Sequence, residues 1–536
     1  MVEKNFRRIC YLPALISIFL IVSFRPIVGR AAEDGSKPER KAPVVVQYTR
    51  YTWWLIRWAD NQIYCTVYTA EEGLPTPDDI YTSCGKTIYD LWAATPACNK
   101  DAVDCAGVYL HLVGKELAER TIMVDLPPAV VYLSLGNCPY PTSNNLCNAP
   151  PILVLTGEEP IPGQQITAIH GFIDGVPFNC AGSSCELNLL PTPLNGAWMD
   201  FWADSSFGDS SETFHARLRV VESGVSADPA ARGWYVDVLS SQWQGRPAPV
   251  CAQMWDTFLP VGEPPNWLST PPIAEFLATE NAYYYLAGRL IAQNMVDVTP
   301  CSSGGLQSNG YADECGLQAA MSQIRAWQNR FDPQILQVAQ ETSLPAQLMK
   351  NILAQESQFW PGAFKDPKEF GLGQITDSGA ETILIWDTRF FFQFCPTVLD
   401  AGVCEKGYVY LQPENQKLIR GALASQARAD CPDCDTGVSL ENANQSISLF
   451  AHSLIANCAQ VSRIVFNATS QPPSVVSDYE SLWRLTAANY HVGPGCVSYA
   501  VFNAAARVEP ISWANVSKYF TPACQSALEY VDNVTQ

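Results

Sequence analysis

Nineteen cysteines constrain this chain more than any other feature. A reducing compartment would leave that many thiols without a purpose, whereas an oxidising one turns them into cross-links, so the count points outside the cytosol. The first thirty residues agree. Lys4, Arg7 and Arg8 precede an apolar run from Ile9 to Phe24, and Gly29-Arg30-Ala31 offers a small-x-small cleavage site, which together read as a secretory signal over residues 1–31. The run is 16 residues long, short of the roughly 20 that span a bilayer. The alternative is an uncleaved N-terminal signal anchor, which would hold the protein at the cell surface instead of releasing it. No later stretch reads as a membrane span.

Cleavage after the signal removes Cys10 and leaves 18 cysteines, an even number that suits complete disulfide pairing. Cys98/Cys105, Cys180/Cys185 and Cys395/Cys404 read as short staples; spacing leaves the remaining pairings open. Cys431-Pro-Asp-Cys434 has metal-ligand spacing, but no second C-x-x-C accompanies it and the chain holds five histidines. A disulfide is expected there, with no metal and no cofactor.

Acidic residues outnumber basic ones 53 to 33. A surface of that sign argues against nucleic acid as a partner, which needs a basic footprint. Residues 1–31 take away five bases and one acid, so the mature chain carries about −24. Hydrophobic residues at 47% and charged ones at 16% exclude a largely disordered chain.

The organisation is multidomain. Residues 32–45 are polar with two prolines and read as a linker. Residues 46–148 carry short β-rich runs, such as "VVVQYTRYTWWLIRW" and "QIYCTVYTA", with four cysteines in the first ninety residues, and are expected to form a disulfide-bonded β-rich module. Residues 149–222 give regular short strands divided by Pro, Gly, Asn and Ser, the pattern of a β-sandwich of immunoglobulin-like size. Within "AWMDFWA", Met199, Phe201 and Ala203 share one face, and Trp198, Asp200 and Trp202 the other. Two tryptophans flanking a carboxylate could contact carbohydrate; the alternative is that they pack into a core or against a neighbouring module. Residues 223–315 form a connecting region with helices. From 316 to 536 apolar residues recur at three- and four-residue spacing, so this part is helical.

One helix stands out. Pro345 suits a first turn and Pro361 a position beyond the end. Met349, Leu353 and Glu356 fall at i, i+4 and i+7, so Glu356 extends an apolar stripe near the C-terminal pole. Apolar surroundings and the negative end of the dipole both favour a protonated carboxyl, as a general acid requires. A glutamate leaving the core edge for solvent would show the same spacing.

"AQESQFWPGAF" is followed by "EFGLGQITDSGA" and, much later, by "LTAANYHVGPGCVSYA". In this order the three blocks resemble the soluble lytic transglycosylase domain, and the likeness covers roughly residues 320–530. It implies a lysozyme-like all-α or α+β fold for residues 316–536 and peptidoglycan glycan strands as the partner. Glu356 would be the single catalytic acid/base, forming a 1,6-anhydromuramic product without water. Ser357 and Gln374 would orient acid and substrate. Tyr490 would contact the sugar or Glu356, and Gly371, Gly373, Gly493 and Gly495 would let backbone approach the glycan. His491 stands where the family has asparagine; it can still donate a hydrogen bond to substrate. Asp366 and Glu369, in the preceding loop, would allow inverting hydrolysis if either reached the far side of the sugar. A goose-type-lysozyme-like hydrolase, a non-catalytic glycan-binding wall protein and a disulfide-bonded surface scaffold are the competing functions.

Overall fold

The structure is a computed structural model that describes residues 38–98, 105–138, 146–223, 233–244, 250–262, 264–362 and 369–536. The expected signal sequence lies outside these residues. Within them a β-rich N-terminal part with three sheets precedes a helical C-terminal part, and Arg40–Gln536 hold together as one unit.

The first sheet has the order β2-β1-β3, from β1 (Lys41–Arg57), β2 (Ile63–Thr69) and β3 (Val108–Asp125). β1 therefore begins inside the expected 32–45 linker. Pro43 is tolerated there because β2 pairs only from Tyr51 onward, leaving that end of β1 with one partner. The helix Pro77–Ala93 starts at a capping box between Thr76 and Asp79 and packs Ile80 against Leu55 and Val67 in a small core.

Nine further strands make two sheets. They are β4 (Val130–Leu135), β5 (Leu146–Cys147), β6 (Ile152–Glu158), β7 (Ile166–Ile173), β8 (Val176–Ala181), β9 (Ser184–Asn188), β10 (Ala197–Ser205), β11 (Phe214–Glu222) and β12 (Trp234–Leu239). One sheet runs β5-β12-β11-β10-β7-β8 and the other β4-β6-β9. They share one core: Val131, Leu133 and Leu155 from one sheet meet Met199, Phe201 and Val220 from the other. The two-sheet layer thus extends past the expected 149–222 at both ends. β4 and β5 belong to it because their partners are β6 and β12. Alternation in β10 puts Met199, Phe201 and Ala203 fully inside, while Trp198 is 58% exposed on the outer face.

All 18 cysteines from Cys65 to Cys524 pair into nine disulfides, including the three short staples and Cys431–Cys434. That pattern fits an extracellular protein. Cys251–Cys458 closes 207 residues and ties the segment after the sheets to the centre of the helical part. The centre is the 30-residue helix Leu440–Thr469, which Ser439 caps by accepting from Asn442 N–H. By length and hydropathy this helix could cross a membrane, contrary to the expectation that no later stretch would, but 72% of its most apolar window is buried in the protein.

Candidate functional site

The helix Ala346–Ser357 presents Leu348, Met349, Ile352 and Leu353 to the core and leaves Glu356 half-buried in its last turn. The helix is stopped by two consecutive residues in the left-handed region, Gln358 (φ 47°) and Phe359 (φ 62°). Such backbone costs of order 1 kcal/mol or more per non-glycine residue and needs surrounding structure to hold it. That support is visible. Gln358 Oε1 accepts the backbone N–H groups of Tyr285 and Leu286, and the fully buried Phe359 receives Trp327 Nε1–H on its carbonyl at 2.8 Å.

The second block forms a tight turn. Phe370 and Ile375 exchange backbone hydrogen bonds of 3.1 and 2.8 Å around Gly371-Leu372-Gly373-Gln374. Gly371 has φ 71°, and a Cβ there would meet Ser446 Cβ at 2.6 Å and the Ala427 carbonyl at 2.7 Å. A Cβ at Gly373 would meet the Phe450 ring. The turn's close seat on the central helix by itself requires both glycines. Gly493 (φ 78°) ends the helix Tyr479–Val492 and faces open space, as does Gly495.

Tyr490 joins the third block to the second. Its hydroxyl donates to the Gly373 carbonyl, and its ring meets Phe450 edge-on at 5.6 Å. Burial, with the negative charges of Glu356 and Glu369, pushes its phenol well above the usual range. Asp366 lies outside the described residues.

Tyr530, which local sequence did not single out, completes the cluster. It sits on the helix Ser526–Val534, 3% exposed, and donates to Glu356 Oε1 at 2.5 Å. Burial first, then the Glu356 charge, keeps this phenol protonated far above neutral pH. His491 stacks on Tyr530 with ring centroids 4.1 Å apart and planes 8° from parallel. Nothing near Tyr530 in sequence marks it: its neighbours Ala527, Val531 and Val534 are buried at helical spacing, so it reads as a core aromatic. Only the crossing of this helix with the Glu356 helix reveals its partner.

No protein-family model matches this sequence, and no curated protein matches it.

The remaining expected residues separate. Ser357 is fully buried and its hydroxyl donates to the Leu353 carbonyl one turn back, so it does not face the cluster. Gln374 is buried; its Nε2 donates to Gly371 O at 2.6 Å, and its Oε1 has no hydrogen-bond partner among the described residues. Asn489, beside Tyr490, instead anchors its helix by donating to Asn457 Oδ1 and Gln460 Oε1. Among the described residues no three His, Cys, Asp or Glu side chains converge as a metal set. Two clefts lie away from Glu356. One of about 360 Å³ opens between the two-sheet layer and the helical part, and one of about 490 Å³ lies against the first sheet beside Tyr48, Arg50 and Tyr68.

Proposed function

We propose that the chain is an exported enzyme that cleaves peptidoglycan glycan strands at the β-1,4 bond following muramic acid, by the lytic transglycosylase reaction. In this reading the two-sheet layer is immunoglobulin-like, the helical part is lysozyme-like, and residues 1–31 direct export. Glu356 protonates the leaving glycosidic oxygen as the C1–O bond breaks, with help from the 2-acetamido group. It then takes the proton of the sugar's own 6-hydroxyl while O6 closes on C1. One carboxyl both gives and receives the proton, so no water is consumed.

The observation that carries this reading is the buried Tyr530 hydroxyl donating to Glu356 Oε1 at 2.5 Å, with Tyr490 of the third block donating to Gly373 of the second. A half-buried carboxyl held by a buried phenol donor is suited to acid/base work. His491, in place of the family asparagine, then acts through its stack on Tyr530.

A second reading, hydrolysis like that of goose-type lysozyme, turns on Glu369, which immediately precedes the bridge between Phe370 and Ile375. Digestion of purified peptidoglycan followed by mass spectrometry separates the two. Anhydro ends support the lytic reaction, reducing muramic ends the hydrolytic one, and binding without released products a glycan-binding protein.

A further inference from the structure

The outer face of β10 carries a set of side chains that the Glu356 chemistry does not use. Along the strand stand Trp198, Asp200, Trp202 and Asp204. Register places Arg217 and His215 of β11 beside Trp198 and Asp200, and Phe172 and His170 of β7 beside Asp200 and Trp202. A face turned to solvent is expected to be polar, yet this one holds Trp198 at 58% and Phe172 at 41% exposure.

The rings are held in place. The Arg217 guanidinium lies between Trp198 and Phe258, 5.1 and 4.9 Å from their centroids, and is anchored below by Asp256 at 2.7 Å. It fixes the indole from one side. Trp202 stacks on His170 at 5.7 Å and leans on Phe172 at 6.0 Å. Four residues along one strand separate the two indoles by about 14 Å. Between and beyond them sit carboxylates: Asp200 with His215 Nδ1 at 2.7 Å, and Asp204 with His170 Nε2 at 2.9 Å. Arg217 also lines the 360 Å³ cleft beside Asp478 and Glu480 of the helical part, so the array runs from the open sheet face to that seam.

We propose that this face is a glycan-binding platform for a chain of neutral or N-acetylated pyranoses, separate from Glu356. A pyranose has an apolar C–H face for an indole and an equatorial fringe of hydroxyls for carboxylates and imidazoles, and the array alternates those two kinds of partner. An anionic ligand fits poorly. Asp200 and Asp204 face it, and the guanidinium groups of Arg217 and Arg219 are already committed to Asp256 and Asp237. A headgroup-bearing membrane surface is disfavoured on the same ground. The platform does not depend on the acid assignment. A catalytically silent protein would keep it, and an active one would use it to hold a strand while the groove cuts.

The test uses the full mature chain carrying Glu356→Gln, titrated with chitohexaose and with cellohexaose while tryptophan fluorescence and binding heat are followed. Binding of at least one oligosaccharide is expected, with affinity that changes little up to about 0.5 M salt, because exposed ionic contacts would be screened there. Trp198→Ala should weaken it about tenfold or more, the scale of losing one anchoring tryptophan. Trp198→Phe should recover part of that loss, and Asp200→Asn should weaken binding without touching a ring. Thermal unfolding of each variant confirms that the sheet is intact. No binding of either sugar, equal affinity in the Trp198→Ala variant, or uptake by anionic vesicles in place of sugar would overturn the platform. Failure of the parent to cleave peptidoglycan would overturn the enzyme assignment and leave this result standing.

Discussion

Tyr530 and Glu356 are 174 residues apart in the chain and joined by a 2.5 Å hydrogen bond. Because burial keeps the phenol protonated, it acts as a donor that fixes one carboxyl oxygen. Tyr530→Phe keeps the ring and its stack on His491 and deletes only the hydroxyl. Cleavage of peptidoglycan should fall about ten- to a hundredfold in kcat, the worth of one hydrogen bond to a charged group. KM and melting temperature should stay near those of the parent. A matching fall in melting temperature would make the hydroxyl a structural group instead.

The division into a β-rich half and a helical half was legible because hydrophobic period changes from two to near four along the chain. The inner face of β10 was legible for the same reason. Element limits were less so. Pro43 looked like linker because a proline is read as a breaker, yet a strand with one free edge accepts it. The candidate site was legible at Glu356 and Tyr490, whose blocks are short and distinctive. It was not legible at Tyr530, whose role comes from a helix crossing rather than from its neighbours. Ser357 misled for the converse reason: the position is distinctive in sequence, but its hydroxyl turns back to Leu353.

The helix that carries Glu356 is anchored by a buried ion pair. Lys350, 1% exposed, donates to Asp332, Asn329 Oδ1 and the Leu277 carbonyl. Burial pushes Lys350 down and Asp332 up, and each pulls the other back toward its charged form. Lys350→Met should cost about 3–5 kcal/mol in urea unfolding, because it strands a buried carboxylate. The double variant Lys350→Met/Asp332→Leu should regain most of that. A double variant no better than the single one would contradict the pairing.

Buried phenols set an alkaline limit. Tyr490, Tyr530 and Tyr479 all have values raised by burial in the folded protein. Their stabilising effect is complete below about pH 10, the unfolded value, and is lost as pH rises toward the folded value, since the unfolded chain sheds protons first. Each should contribute a fall of about 1.4 kcal/mol per pH unit above pH 10. Urea midpoints at pH 8 and pH 11 should diverge more in the parent than in Tyr490→Phe/Tyr530→Phe. Equal divergence would place the alkaline sensitivity elsewhere.

Cys251–Cys458 is the longest-range of the nine disulfides, reinforced by the Trp255 Nε1–H bond to the Cys458 carbonyl at 3.0 Å. Restricting so long a loop is worth about 5 kcal/mol on the chain-entropy estimate. Cys251→Ala/Cys458→Ala should lower unfolding stability on that scale. A loss near that of a short staple such as Cys395–Cys404 would show that the long loop is already restrained in the unfolded chain.

If Glu356 carries the chemistry, removing its proton must abolish the anhydro product. Purified peptidoglycan is digested by the mature parent and by Glu356→Gln, and the muropeptides are weighed. The parent should release fragments ending in 1,6-anhydromuramic acid, lighter by one water than hydrolytic products, and the variant should release none above background. Release of the same fragments by Glu356→Gln at the parent's rate would contradict the assignment.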